Sequence, residues 1–205
     1  MGNKEVEEPF FSMAEPANAI AALPQRVGRV SDDAPDSRRH ARERRVARDL
    51  VELSRLQGGG ERADCAPLDL GTLVRTICTD YPQLHVEGPQ HLPVSTDARR
   101  LARVLFTLLD NAYLHGAPPV SVTYDATEIA ISDSGRGLAA GLLSRATEPF
   151  VTGERAQGRG VGLGLAIAAR QAALLGAELQ MSNASDGGAI ARLCFAAATP
   201  LPAAS

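Results

Sequence analysis

The run Gly158-Arg-Gly-Val-Gly-Leu-Gly-Leu165 constrains this chain more than any other stretch. Glycines that alternate with apolar residues and then give way to Leu163-Gly-Leu-Ala-Ile167 read as a loop feeding the start of a helix. The periodicity carries that helix from about Val161 to Leu175, where Gly176 stops it. Three other short signals precede the run in fixed order: Leu-Leu-Asp-Asn-Ala at 108–112 on a helix, Asp133-Ser-Gly-Arg-Gly-Leu138 after a strand, and Glu148-Pro-Phe150. Each suits a pocket better than a packed core.

The elements around these signals are legible from period and punctuation. Asp69 is a good N-cap for a helix whose apolar stripe is Leu70, Leu73, Val74, Ile77 and Tyr81. A short strand is expected at Leu84–Glu87, ahead of the turn at Gly88-Pro89. From Thr96 or Asp97 a long helix carries Leu101, Val104, Leu105, Leu108 and Ala112 toward the core. Thr107, Asn111 and His115 stand four apart, so they share a different stripe, facing away from the core. Val120–Tyr124 and Glu128–Ser132 alternate as half-buried strands, and two more, Glu178–Ser182 and Ala189–Phe195, flank a turn at Asp186-Gly-Gly188. A mixed sheet covered on one face by three helices is an α/β two-layer sandwich.

The first sixty residues read differently. Pro9, Pro16 and Pro24 interrupt the apolar pattern of residues 1–30, which allows at best a broken helix. After the turn-forming segment 31–37, a helix capped by Asp36 or Ser37 is expected, with Val46, Leu50, Leu53 and Leu56 forming a narrow stripe suited to a bundle seam. Its arginines at 38–48 are read as a solvated face rather than a nucleic-acid patch, because no aromatic residue interleaves with them. A net charge of −3 over 205 residues decides nothing about polyanionic partners. No apolar run approaches the roughly 20 residues of a membrane span, and the acidic start does not read as a signal peptide. Cys65, Cys78 and Cys194 lack metal-ligand spacing and are expected as buried thiols in a reducing cytoplasm.

The chemistry of the four signals converges. A carboxylate at a strand end beside glycines, as in Asp133 with Gly135 and Gly137, can accept a hydrogen bond from a base amino group while backbone approaches the ring. A helix start rich in glycine, here Gly160, Gly162 and Gly164, presents unpaired N–H groups and a positive dipole end to phosphate. The spacing is not that of a Walker loop, since no Gly-Lys-Ser/Thr follows, nor does it sit in a βαβ dinucleotide context.

In order and content the four signals resemble the nucleotide-binding boxes of sensor histidine kinases and the wider superfamily of gyrase, mismatch-repair and heat-shock ATPases. Leu50-Val-Glu-Leu-Ser-Arg-Leu56, followed by glycines and Pro67-Leu-Asp-Leu70, is similar to the second helix of such a kinase's dimerisation hairpin. The resemblance implies a degenerate helical dimerisation and phosphotransfer-like hairpin at 1–60, an ATP-binding catalytic domain at 61–198 and a disordered tail at 199–205. It further implies ATP and Mg2+ as ligands, with Asp133 on the adenine amine, Asn111 on the metal, and His115 and Thr107 near the phosphates. A lid over Val151–Arg159 would hinge at Glu148-Pro-Phe150 and bring Thr152, Arg155 and Arg159 to the phosphates, closing with Gly160, Gly162, Leu163, Gly164 and Leu165. A homodimer through residues 38–57 and a response regulator or phosphoacceptor protein as partner complete the expectation.

Three departures bear on activity. Thr107 stands where the family usually has Asn or Glu, and Leu114 stands where Lys or Arg often reaches the phosphates. The third is the acceptor. Glu15-Pro-Ala-Asn-Ala-Ile-Ala-Ala-Leu23 loosely resembles the tail of the phosphoacceptor motif, yet Phe11 or Ala14 falls where the histidine should be. His40 is the only histidine near the hairpin. The chain is therefore read as a histidine kinase acting on itself or on a partner, with two alternatives: a pseudokinase scaffold, or a serine kinase of the anti-sigma-factor type.

Overall fold

A computed structural model describes residues 35–153 and 161–196. The broken helix expected before residue 31, the tail after 196, and the lid residues Arg155, Arg159 and Gly160 lie outside the described residues.

The described residues open with helix α1, Pro35–Gln57. It begins one residue ahead of the expected cap Asp36, because proline's fixed φ suits a first helical turn. Strand β1 (Ala66–Asp69), helix α2 (Leu70–Cys78), strands β2 (Leu84–Glu87) and β3 (Pro93–Thr96), and helix α3 (Ala98–His115) follow. Then come β4 (Val120–Tyr124), β5 (Glu128–Ser132), the short helix α4 (Ala140–Leu143), α5 (Gly164–Leu174), β6 (Ala177–Asn183) and β7 (Ala189–Phe195). Five strands form one sheet in the order β2-β4-β5-β7-β6. Strand β2 runs parallel to β4 and the other neighbours pair antiparallel, so the sheet is mixed as expected.

Helices α2, α3 and α5 contribute their apolar stripes to one core with the sheet. Leu73, Val74 and Ile77 of α2, Leu101, Leu105 and Leu109 of α3, and Ala168 and Ala172 of α5 pack with Val120, Ile129 and Leu193 of the strands. Side-chain caps set the start of two of these helices: Asp69 accepts the Thr72 amide, and Asp97 accepts those of Arg99 and Arg100. Strands β1 and β3, which pair antiparallel as a separate two-stranded sheet, were not expected from the sequence. Each is four residues long and carries a proline, which hides the alternation that marks a strand.

Two further expectations are corrected. Helix α5 begins at Gly164 rather than Val161, because Gly162 has φ +73° and its carbonyl accepts the Phe150 amide. The cysteines are free, but only Cys78 is buried; Cys65 is exposed and Cys194 half-buried. Burial pushes the Cys78 thiol up to about 11, against the lowering effect of Arg75. Among the described residues no helix is long and apolar enough to cross a membrane.

The stripe on α1 divides. Leu53 and Leu56 pack against Val161, Leu163 and Ile167, at and just before the start of α5. Beside them Glu52 accepts hydrogen bonds from Arg103 of α3 and from Gln171 of α5. Asp49 lies 3.8 Å from Arg103, and its carboxyl is raised by burial in spite of Arg45 and Arg103. Leu50 and Val51 remain exposed.

Candidate functional site

The outward stripe of α3 forms one wall. Thr107 donates its hydroxyl proton to the Arg103 carbonyl one turn back, at 2.9 Å, so its methyl is what faces the start of α5. A Cβ on Gly164 would stand 3.5 Å from that methyl, which places the first turn of α5 directly against α3. One turn further, Asn111 is half-buried, and its Nδ2 is buried with no hydrogen-bond partner among the described residues. Such an atom is costly unless something else pairs with it. His115 lies exposed on the last turn.

The second wall is the segment after β5. The Asp133 amide continues the ladder to β7 by donating to the Ala189 carbonyl at 3.1 Å. Its Oδ1 accepts the Gly135 amide at 2.8 Å, closing an Asx turn. The carboxylate rests on Gly116, the C-cap of α3, where a Cβ would overlap it. A Cβ on Gly135 would come within 2.8 Å of Asp133 Oδ1. Gly137 has φ +69°, a conformation for which glycine is the default residue.

The phosphate-side candidates assemble separately. Phe150 is 61% exposed with φ +66°, and its amide donates to the Gly162 carbonyl at 2.9 Å. The third and fourth signals are thus tied at their roots, with exposed Thr152 just beyond. The side chains of Leu163 and Leu165 turn into packing, Leu163 against Leu53 and Leu165 against the main core. What this end leaves for a ligand is backbone. The N-cap of α5 is Leu163, which makes no side-chain cap hydrogen bond, so among the described residues no side chain satisfies its first N–H groups.

Sequence reasoning missed the residues that brace the second wall from behind. Asn183, at the end of β6, pairs with both backbone groups of Leu138, and Gly188 presses on the Asp133 carbonyl. The signals were present as an Asn before a turn and a Gly-Gly pair, but both read as ordinary turn chemistry.

The chain is similar to known proteins. Residues 96–199 match the family model described as histidine kinase-, DNA gyrase B- and HSP90-like ATPase. Sensor protein CseC of Streptomyces coelicolor is 42% identical over 153 residues, which is 73% of this chain and 30% of that protein. Sensor histidine kinase component HK1 of Mycobacterium tuberculosis is 39% identical over 114 residues, 53% of this chain and 67% of its own length. The crystal structure of full-length ShkA in complex with AMPPNP superposes with a TM-score of 0.59 at 25% identity, covering 73% of this chain and 35% of that one.

Proposed function

Because this chain belongs to the histidine kinase-, DNA gyrase B- and HSP90-like ATPase family, we propose that it binds Mg-ATP in the cleft between α3, the 133–138 segment and the start of α5, and serves as the phosphoryl-donor part of a two-component histidine kinase. The observation that carries the reading is the uncapped start of α5 set against the face of α3 that holds the unpartnered Asn111 amide.

The residues present suit these ligands. Asp133 Oδ2 has no hydrogen-bond partner among the described residues and accepts from the adenine amino group, while Gly135 and Gly137 admit the ring. The N–H groups at Gly164 and Leu165 take phosphate oxygens. The Asn111 amide, turned to present its oxygen, completes an oxygen shell of the kind magnesium prefers. The metal, when bound, neutralises charge on the β- and γ-phosphates. His115 hydrogen-bonds the phosphates, and Thr107, its hydroxyl held by Arg103, fixes the approach of α5 rather than moving a proton. Thr152, Arg155 and Arg159 belong to the lid, Phe150 to its hinge and Gly160 to the glycine run that follows it.

Helix α1, Pro35–Gln57, is the helical segment and the described residues from 61 on make up the catalytic domain, acting in the cytoplasm. Leu50 and Val51, left exposed on α1, are offered to a second copy, and a response regulator receives the phosphoryl group in the end. The chain spans 30% of the length of CseC.

Incubation with γ-labelled ATP and magnesium, followed by acid and base treatment, tests this. Acid-labile, base-stable label on this chain, with His40 the first residue to replace, establishes transfer in cis. Binding without label, followed by transfer to a histidine-bearing partner, establishes transfer in trans. Stable phosphoserine on a partner contradicts the histidine reading in favour of an anti-sigma type of kinase.

A further inference from the structure

The segment that carries Asp133 is held at both ends. At its near end the Ser134 amide donates to the Ala117 carbonyl at 2.8 Å and its hydroxyl to the Pro119 carbonyl at 3.1 Å. At its far end one side chain does the corresponding work. The Leu138 amide donates to Asn183 Oδ1 and Asn183 Nδ2 donates to the Leu138 carbonyl, both at 2.8 Å. A carboxamide offers a donor and an acceptor side by side, and here it pairs with the peptide as a neighbouring strand would. The loop sits tightly on it: a Cβ on Gly137 would lie 2.6 Å from Asn183 Oδ1. Asn183 is itself exposed and outside the hydrophobic core, so its two hydrogen bonds act on the loop rather than on the packing of the domain.

We propose that Asn183 is a positioning residue for base selectivity: by holding Leu138 it fixes the backbone from Gly135 to Leu138 and so the placement of Asp133 against the amino group of the base. Asn183 acts through the loop and need not touch the nucleotide. This deepens the ATP-binding reading and rests on it.

The test is titration calorimetry of the whole chain with Mg-ATP and with Mg-ITP, whose base lacks the exocyclic amine. The wild-type chain prefers ATP by about tenfold or more, the worth of one hydrogen bond. In Asn183→Ala the affinity for ATP falls toward that for ITP, while ITP binding stays within about twofold. Asn183→Asp, which keeps the acceptor for the Leu138 amide and loses the donor to the Leu138 carbonyl, gives an intermediate ratio and carries the test if thermal unfolding shows the alanine variant to be misfolded. An unchanged ATP:ITP ratio in a folded variant overturns the role of Asn183 while leaving ATP binding intact. A wild-type chain that binds neither nucleotide overturns the ATP reading itself, and this proposal with it.

Discussion

The two sides of the cleft are built on opposite plans. On the base side, the 133–138 segment is stitched to three other places in the chain: the 117–119 loop through Ser134, β7 through the Asp133 amide, and β6 through Asn183. On the phosphate side, a helix start without a side-chain cap is joined to the Glu148-Pro-Phe150 turn by the Phe150–Gly162 backbone hydrogen bond, and its neighbours among the described residues include apolar groups: Leu53 and Leu56 of α1 and the Thr107 methyl of α3. Helices α2 and α3 are each capped by an aspartate, whereas α5, like the short α4, starts without a side-chain cap. A base is recognised by a fixed pattern of donors and acceptors, which calls for a rigid wall. A triphosphate must enter and leave, which calls for groups left available until it arrives.

The largest way to break this arrangement is Gly188→Ala. Its φ of +93° and the overlap of any Cβ with the Asp133 carbonyl displace the rigid wall, at a cost of about 3 kcal/mol in stability together with loss of ATP binding. Thermal unfolding and nucleotide titration measure the two effects. Leu53→Ala tests the other side. It removes a buried α1 side chain beneath the start of α5 and should cost about 2 kcal/mol by denaturant unfolding, while leaving the ATP:ITP ratio unchanged. Asn111→Ala should lower magnesium-dependent ATP affinity about tenfold and leave affinity in EDTA nearly unaltered. Glu52→Gln is the smallest. It weakens a part-exposed pair with Arg103 and should change stability by less than about 1 kcal/mol, less still in high salt.

The rigid wall and the open start differ also in how far the sequence announced them. Helix α3 was readable because Leu101, Val104, Leu105 and Leu108 recur at helical spacing behind the Asp97 cap, and that same spacing set Asn111 on the outward stripe. The glycine run announced the start of α5, though the true first turn lies three residues later, since a loop glycine at positive φ and a helical one look alike in sequence. Asn183 stayed hidden because its partner Leu138 is 45 residues away, and a pairing between a side chain and distant backbone leaves no local period. The docking of α1 was hidden for a related reason. Leu53 and Leu56 fit a dimer seam and an internal contact equally well until the position of Leu163 is known.

Amide hydrogen exchange of the whole chain, with and without Mg-ATP, tests the central claim most directly. The amides of Ser134, Gly135 and Leu138 already have acceptors and should be protected in the free protein, changing little on binding. Those of Gly164 and Leu165 should exchange freely until Mg-ATP protects them. A ligand that protects the 133–138 segment and leaves the start of α5 unchanged, or that protects neither, would contradict the account.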